Sequence, residues 1–313
     1  MVSSRKSDPL DGQRKRLVQL LDELAVEEGM HPSSIPGVEL ARESHPSPRK
    51  PVVYKPCIVV VGQGRKRGFV GDQVLHYDPH NYLVLSVPLP FECEYDCSPE
   101  EPLLVVTVDV DPAMIGEVLL EMDESWPVSD PVPRAIYSTA LDDRLGGAVI
   151  RLLECMRSPR DSRVLGRQIV REIVYLVLMG EQGGGLRALA ARSEHFDQIA
   201  RVLRHIHADP ALEFSAESLA RRAGMSLSAF HHTFKQMTAT SPLQYVKRVR
   251  LDRARGLMAH EGCNAGTAAA KVGYESVSQF SREFKRLFGA SPTEEAGRAR
   301  ARLAGATAAP AGR

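Results

Sequence analysis

Leu219-Ala220-Arg221-Arg222-Ala223-Gly224, followed by Phe230, Phe234-Lys235 and Ser241-Pro242, returns in much the same form as Ala268-Ala269-Ala270-Lys271-Val272-Gly273, followed by Phe280, Phe284-Lys285 and Ser291-Pro292. The stretch from Glu217 to Arg300 therefore holds two copies of one small unit. In each copy an alanine (Ala220, Ala269) lets a second helix approach the first, and a glycine (Gly224, Gly273) stands where a sharp turn needs φ > 0. A serine then restarts the chain as a helix cap, Ser226 or Ser228 in the first copy and Ser276 or Ser278 in the second. Phe230 and Phe234 are four apart, as are Phe280 and Phe284, so each pair lies on one helical face and points inward as core. The opposite faces are polar and basic: Ser228, His231, His232 and Lys235 in one copy, Ser278, Gln279, Ser281, Arg282 and Lys285 in the other.

A helix, a glycine turn and a second helix with one buried and one hydrogen-bonding face make a helix-turn-helix, whose second helix enters the major groove of DNA. Between the copies, Ser241-Pro242 supplies a cap and a proline at the first turn. Leu243 to Met258 then runs without Pro and with Gly256 as its one internal glycine, as a continuous helix. About sixteen to eighteen residues at ~1.5 Å each make a rod of roughly 25 Å. Successive major grooves on one side of B-DNA lie ~34 Å apart, so two motifs on such a rod can enter adjacent grooves as one polypeptide.

From about His195 to Arg300 the order, spacing and residue types resemble the two-motif DNA-binding domain of AraC/XylS transcriptional regulators, including the run Gly273-Tyr274-Glu275-Ser276 through Phe280, Phe284-Lys285 and Ser291-Pro292. The resemblance implies a sequence-specific DNA-binding regulator rather than an enzyme. One departure is the first reading helix, with Ser228, His231 and His232 where relatives often place large or cationic residues.

The expected base-reading residues are Ser228, His231, His232, Ser278, Gln279 and Arg282. Arg282 leads, because a guanidinium can donate two hydrogen bonds to guanine O6 and N7, a preference of ~1–3 kcal/mol. Ser226, Lys235, Ser276, Ser281, Lys285 and Arg286 suit phosphates, which fix register and make affinity fall with salt. The alternative for Arg282 is a phosphate contact or a solvated helix arginine, for Ser278 and Gln279 surface hydrogen bonding, and for His231 and His232 a phosphate contact or an exposed pair with no partner.

Composition agrees. The 313 residues suggest two domains. The net charge of +1 hides an asymmetry: residues 195–300 carry 16 Lys and Arg against 10 Asp and Glu, whereas residues 1–194 carry 22 against 29. A basic block beside an acidic partner domain fits a phosphate-binding module. The five cysteines are scattered and odd in number, which fits a reducing cytoplasm. Cys93 and Cys97, the one close pair, lack the companions of a structural zinc site.

In the N-terminal part, Leu17, Leu20, Leu21 and Leu24 predict an amphipathic helix over about Asp11 to Glu28, after a polar, frayed Met1 to Ser7. That start is too charged for a signal peptide. Pro32 to Pro51 reads as irregular connection, with Val38 to Arg42 as a short strand. Cys57–Val61, Gln73–Tyr77, Tyr82–Val87 and Leu103–Val108 read as strands, separated by turns at Gly62, Gly64, Gly71-Asp72, Asp78 to Asn81 and Pro88 to Pro90. Strands this short predict a small barrel or sandwich. Lys55-Pro56, the Gly64-Arg65-Lys66 turn, His76-Tyr77-Asp78 and Leu85-Ser86-Val87-Pro88-Leu89-Pro90 resemble the cupin-like N-terminal domain that accompanies a subgroup of these regulators.

Cupins can be metal enzymes, but here His76 and His80 flank a turn instead of forming a compact His-x-His cluster. No nucleophile elbow, phosphate loop or His-Glu-x-x-His helix appears. Met114 to Glu121 reads as a helix and Glu124 to Arg134 as a loop around Trp126. Two longer helices follow, lined by Leu141 to Met156 and Leu165 to Val177, and Gly183-Gly184-Gly185 closes the region.

The expected fold is thus α+β: an N-terminal domain (1–192) with a cupin-like β-barrel about 38–110 and helices about 111–180, a DNA-binding domain (193–300) of two helix-turn-helix motifs on a linker helix, and a disordered tail (301–313). By resemblance the partners are double-stranded DNA, a second copy bound through the N-terminal domain, RNA polymerase and a small-molecule effector. No cofactor, no metal, no membrane and a cytoplasmic location are expected. The competing reading is a metal- or ligand-binding cupin with an appended DNA-binding domain.

Overall fold

A computed structural model gives the fold and describes residues 9–122, 134–180, 183–190 and 194–297; Met1 to Ser7, the loop around Trp126 and the tail 301–313 fall outside these residues. The chain runs through α1 (Pro9–Leu24), β1 (Gly29–Pro32), β2 (Val38–Glu43), β3 (Ser47–Tyr54), β4 (Cys57–Gln63), β5 (Arg65–Val70), β6 (Gln73–Tyr77), β7 (Asn81–Leu85), β8 (Leu89–Asp96) and β9 (Leu103–Asp109). After α2 (Pro112–Met122) and β10 (Ile136–Ala140), the rest is helical. It comprises α3 (Asp143–Met156), α4 (Pro159–Met179), α5 (Gly184–Ala190), α6 (Glu194–Ala208), α7 (Ala216–Ala223), α8 (Leu227–Thr238), α9 (Pro242–His260), α10 (Ala265–Lys271) and α11 (Val277–Phe288).

The strands form two antiparallel sheets, one in the order β1-β2-β9-β4-β7-β10 and one in the order β3-β8-β5-β6. β4 and β9 lie at the centre of the larger sheet, and their unbroken apolar runs are buried on both faces. Leu17, Leu20 and Leu21 of α1 are buried against them. The helix packs closely over the sheet, so that a Cβ on Gly62 would stand 2.5 Å from Leu21 Cδ1.

Several sequence expectations need correction. α1 begins at Pro9 and stops at Leu24, four residues before the expected end. The strand-bearing region is also wider than 38–110, because β1 precedes it and β10 follows α2. β3 crosses a stretch expected to be irregular; its prolines are tolerated because it is an edge strand paired with β8 alone. β8 begins at Leu89, inside what reads as a turn. β5 includes the expected Arg65-Lys66 turn: Arg65 and Arg67 face solvent, while Lys66 points inward. The Lys66 ammonium donates to the Tyr54 hydroxyl (3.0 Å) and lies 5.5–5.7 Å from the ring centroids of Tyr54, Tyr77 and Tyr95. The glycines at 183–185 do not close the helical region, since α5 starts at Gly184.

The buried apolar residues fall into two clusters. The larger runs from Leu17 through both sheets and α3 and α4 to Phe230, Phe234, Tyr245 and Val249. The smaller contains Leu251, Ala254, Leu257, Met258, Ala268, Ala269, Val272, Phe280 and Phe284. α9 thus changes cores between Val249 and Leu251.

Candidate nucleic-acid interface

The first motif is α7 and α8. Ser215 caps α7 in a reciprocal box with Ser218, and Gly224 ends it at φ +69° with its N–H on the carbonyls of Ala220 and Arg221. Ser226 caps α8, its Oγ accepting the Ala229 N–H at 3.3 Å. In the second motif Asn264 caps α10, Gly273 follows it at φ +80°, and Ser276 caps α11 through the Gln279 N–H at 3.2 Å. The caps are therefore Ser226 and Ser276, leaving Ser228 and Ser278 exposed within the reading helices. Gly273 carries a second constraint: a Cβ there would stand 2.5 Å from the Ala211 carbonyl oxygen, whereas at Gly224 the nearest atom is 3.8 Å away.

Phe230, Phe234, Phe280 and Phe284 are fully buried, and within each pair the ring centroids are 5.5 Å apart. At 100° per residue, His232 and Arg282 stand opposite those stripes, each two positions after the first phenylalanine. His231, His232 and Lys235 are exposed on α8, as are Ser278, Gln279, Arg282, Lys285 and Arg286 on α11; Ser281 is half-buried. Arg282 has no ion pair or hydrogen bond among the described residues, so its guanidinium faces solvent with all its donors. Arg286 lies further round, in a polar cleft that α9 and α11 form with Glu92 of β8. All the site residues expected from sequence but Ser281 are thus exposed on or directly before the two equivalent helices, with Arg286 at the cleft instead of the face that Arg282 occupies.

Several residues that hold this geometry escaped the sequence reading. Glu283 accepts from Tyr274 Oη (2.8 Å), Lys247 Nζ (3.1 Å) and Gln279 Nε2 (3.2 Å), tying α11 to α9 and drawing Gln279 toward its own helix. Burial works to raise the Glu283 pKa, and these three donors outweigh it and lower it. Arg250 clamps the second motif from the middle of α9, donating to the carbonyls of Pro210 (2.8 Å), Leu212 (2.8 Å) and Gly273 (3.2 Å). Carbonyl acceptors carry no side-chain signature, so only the position of Arg250 midway along the linker could have hinted at this role.

α9 has 19 residues, a rod of about 28 Å at ~1.5 Å each. Pro242 stands in its first turn, and Ser241 makes no side-chain cap. Tyr245 joins α9 to the N-terminal part: its hydroxyl donates to the Pro88 carbonyl and lies 2.8 Å from His207 Nε2. A carbonyl can only accept, so the tyrosine proton goes to Pro88 and the imidazole donates from Nε2. Burial pushes the His207 pKa down to about 4. Further along, Arg255 donates to the Pro51 carbonyl at 3.3 Å and covers the Phe288 ring.

In the N-terminal part His76 and His80 are exposed, and His80 sits in a turn where Asp78 Oδ1 accepts the N–H groups of His80 and Asn81. The five cysteines are free thiols. Among the described residues no group of three or more His, Cys, Asp or Glu could hold a metal, and no helix is long and apolar enough to cross a membrane.

Residues 34–185 match the family described as AraC-type transcriptional regulator N-terminus, and residues 219–298 match a helix-turn-helix domain family. The HTH-type transcriptional regulator AlkR of Acinetobacter baylyi is 38% identical over 95 residues, covering 30% of this chain and 31% of its own. The HTH-type transcriptional activator RhaS of Klebsiella pneumoniae is 27% identical over 147 residues, covering 47% and 51%. The chain thus spans about a third to a half of the length of these curated relatives, which are transcriptional regulators and not enzymes. ToxT of Vibrio cholerae, solved with an unsaturated fatty acid bound, superposes with a TM-score of 0.56 at 11% identity, over 83% of this chain and 93% of that one. At that identity the likeness is one of fold. With one family covering its sheet-bearing half, the other covering its paired motifs, and regulators of that type among its relatives, the chain belongs to the AraC family.

Proposed function

We propose that this protein is a sequence-specific DNA-binding transcription regulator that sets α8 and α11 into adjacent major grooves of one duplex. The observation that carries the reading is the repeated motif itself: two reading helices with equivalent caps, equivalent buried phenylalanines and exposed polar faces, on a continuous 19-residue rod. Arg282, Ser278 and Gln279 read bases from α11, and Ser228, His231 and His232 from α8. Ser226, Lys235, Ser276, Ser281, Lys285 and Arg286 hold phosphates. The functional division is an N-terminal domain to residue 192 and a DNA-binding domain from 193 to 300.

The N-terminal domain modulates that activity through a homodimer, a small-molecule effector, or both, and RNA polymerase is the partner at the promoter, in the cytoplasm. A dimer contact is supported by apolar side chains left exposed on α2 and α4, Leu120, Val164, Leu165 and Met179.

The test is selection of genomic fragments by the purified full-length protein at fixed salt. Enrichment of two half-sites about one helical turn apart is expected, bound ~10³-fold or more above random DNA. Arg282→Ala should weaken the selected site most, whereas Lys285→Ala should weaken all sequences alike. A specificity ratio near one would leave an architectural DNA binder instead.

A further inference from the structure

The second reading helix holds a side-chain pair that the first lacks. Gln279 donates from Nε2 to Glu283 Oε1 at 3.2 Å, one turn along α11. The repeat equivalents on α8 are Ala229 and Thr233, and an alanine has no group to donate. Such i, i+4 pairs are weak when both side chains are free to move. Here the acceptor is fixed: the Glu283 carboxylate is 14% exposed and also accepts from Tyr274 Oη and Lys247 Nζ. Gln279 is exposed on the first turn of α11. At ~100° per residue it stands about 60° round the helix from Arg282 and about 100° or more from both buried phenylalanines, on the polar face.

The bond settles which end of the amide is free. A carboxylate can only accept, so the amide nitrogen faces Glu283 and Oε1 is turned away from it, with no hydrogen bond of its own among the described residues. The nitrogen keeps a second N–H. In a helix-turn-helix the N-terminal residues of the second helix contact base edges, where an outward carbonyl needs a donor. Adenine N6 and cytosine N4 supply one, whereas guanine O6 and thymine O4 are acceptors that would meet Oε1 lone pair to lone pair. Adenine alone places an acceptor, N7, beside its donor, which matches the remaining N–H.

We infer that Glu283 is a positioning residue, which orients Gln279 to read adenine in the half-site under α11. The proposal rests on the DNA-reading function above and deepens it, from the residue that contacts a base to the base it selects. No such adenine is expected under α8.

Base and side chain are varied together to test it. In the selected fragment each adenine of both half-sites is replaced singly by guanine, with its pairing partner, or by purine, which lacks only the N6 amine. Affinity is measured for full-length wild-type, Gln279→Ala and Glu283→Gln protein at one salt concentration. Either replacement of one adenine under α11 should weaken wild-type binding about tenfold. Gln279→Ala should lose the preference at that pair alone. In Glu283→Gln the neighbouring amide can present oxygen or nitrogen, so Gln279 is no longer held one way round, and the adenine-to-guanine ratio there should fall to about threefold or less. Ratios at other pairs, including the one read by Arg282, should stay as in wild type. A merely structural Glu283 would lower affinity for every fragment by one factor. Unchanged ratios in Glu283→Gln, or no adenine at which Gln279→Ala differs from wild type, would overturn the proposal while leaving sequence reading intact. Loss of selective binding by the wild type itself would overturn the function on which it rests. A ratio of affinities is independent of the folded fraction of a sample, so a less stable variant still reports.

Discussion

The two helix-turn-helix units are near copies in sequence, yet they are anchored differently. The first shares its core with the N-terminal sheets: Phe230, Phe234, Met237 and Tyr245 belong to the cluster that begins in α1, Ala135 N–H donates to the Met237 carbonyl, and Tyr245 reaches Pro88. The second has an apolar core of its own and meets the sheets through Arg255 and a polar cleft. At equivalent positions the first has the buried Thr233 and the second has Glu283, whose three donors tie it to α9 and Tyr274. A repeat can thus preserve the turn and the reading face while its attachment varies, because the attachment uses residues outside the repeated pattern.

The sharpest way to break this contrast is to hollow each core. Phe230→Ala and Phe280→Ala should each cost about 3–5 kcal/mol. Phe230→Ala should lower the main calorimetric transition, whereas Phe280→Ala should split off an early transition and leave the main one in place. A common transition lowered equally by both would mean one cooperative unit.

Gly273→Ala should cost about 3 kcal/mol, since its Cβ would meet the Ala211 carbonyl at positive φ, and Gly224→Ala only about 1 kcal/mol from its left-handed backbone. Equal costs in denaturant titrations would count against the close packing at Gly273.

Acid should act on the first motif's attachment. His207 is held neutral with a pKa of about 4, against an ordinary value of 6.5, so between those values the unfolded chain binds the extra proton. Stability therefore falls as pH drops from about 6.5 toward 4, by about 2 kcal/mol between pH 7 and 5. His207→Asn should flatten that part of the profile, and an unaltered slope would show that other groups cause it.

The smallest effect belongs to the second motif. Glu283→Gln should cost about 1 kcal/mol or less, because its Lys247 partner is 39% exposed, and only the early transition should move.

How much could be read in advance depended on the kind of interaction. The turns, caps and buried phenylalanines of both motifs were legible because local patterns specify them: serine before a helix, glycine after one, aromatics four apart. The central strands at Cys57–Gln63 and Leu103–Asp109 were legible as apolar runs. β3, β5 and β8 were not, since prolines and alternating charges read as turns, and only pairing partners make them strands. Lys66 was hidden for the same reason, its inward direction being set by strand register.

By itself the sequence determined two helix-turn-helix units, the rod between them and the polar faces they present, because each depends on residues within a few positions of one another. Only the tertiary structure decided that α9 is divided between two cores, that Arg250 and Glu283 lock the second motif, and that Tyr245 ties the first to Pro88. Those contacts join residues far apart in the chain, through carbonyl groups that every residue carries, and no local pattern records which of them will meet.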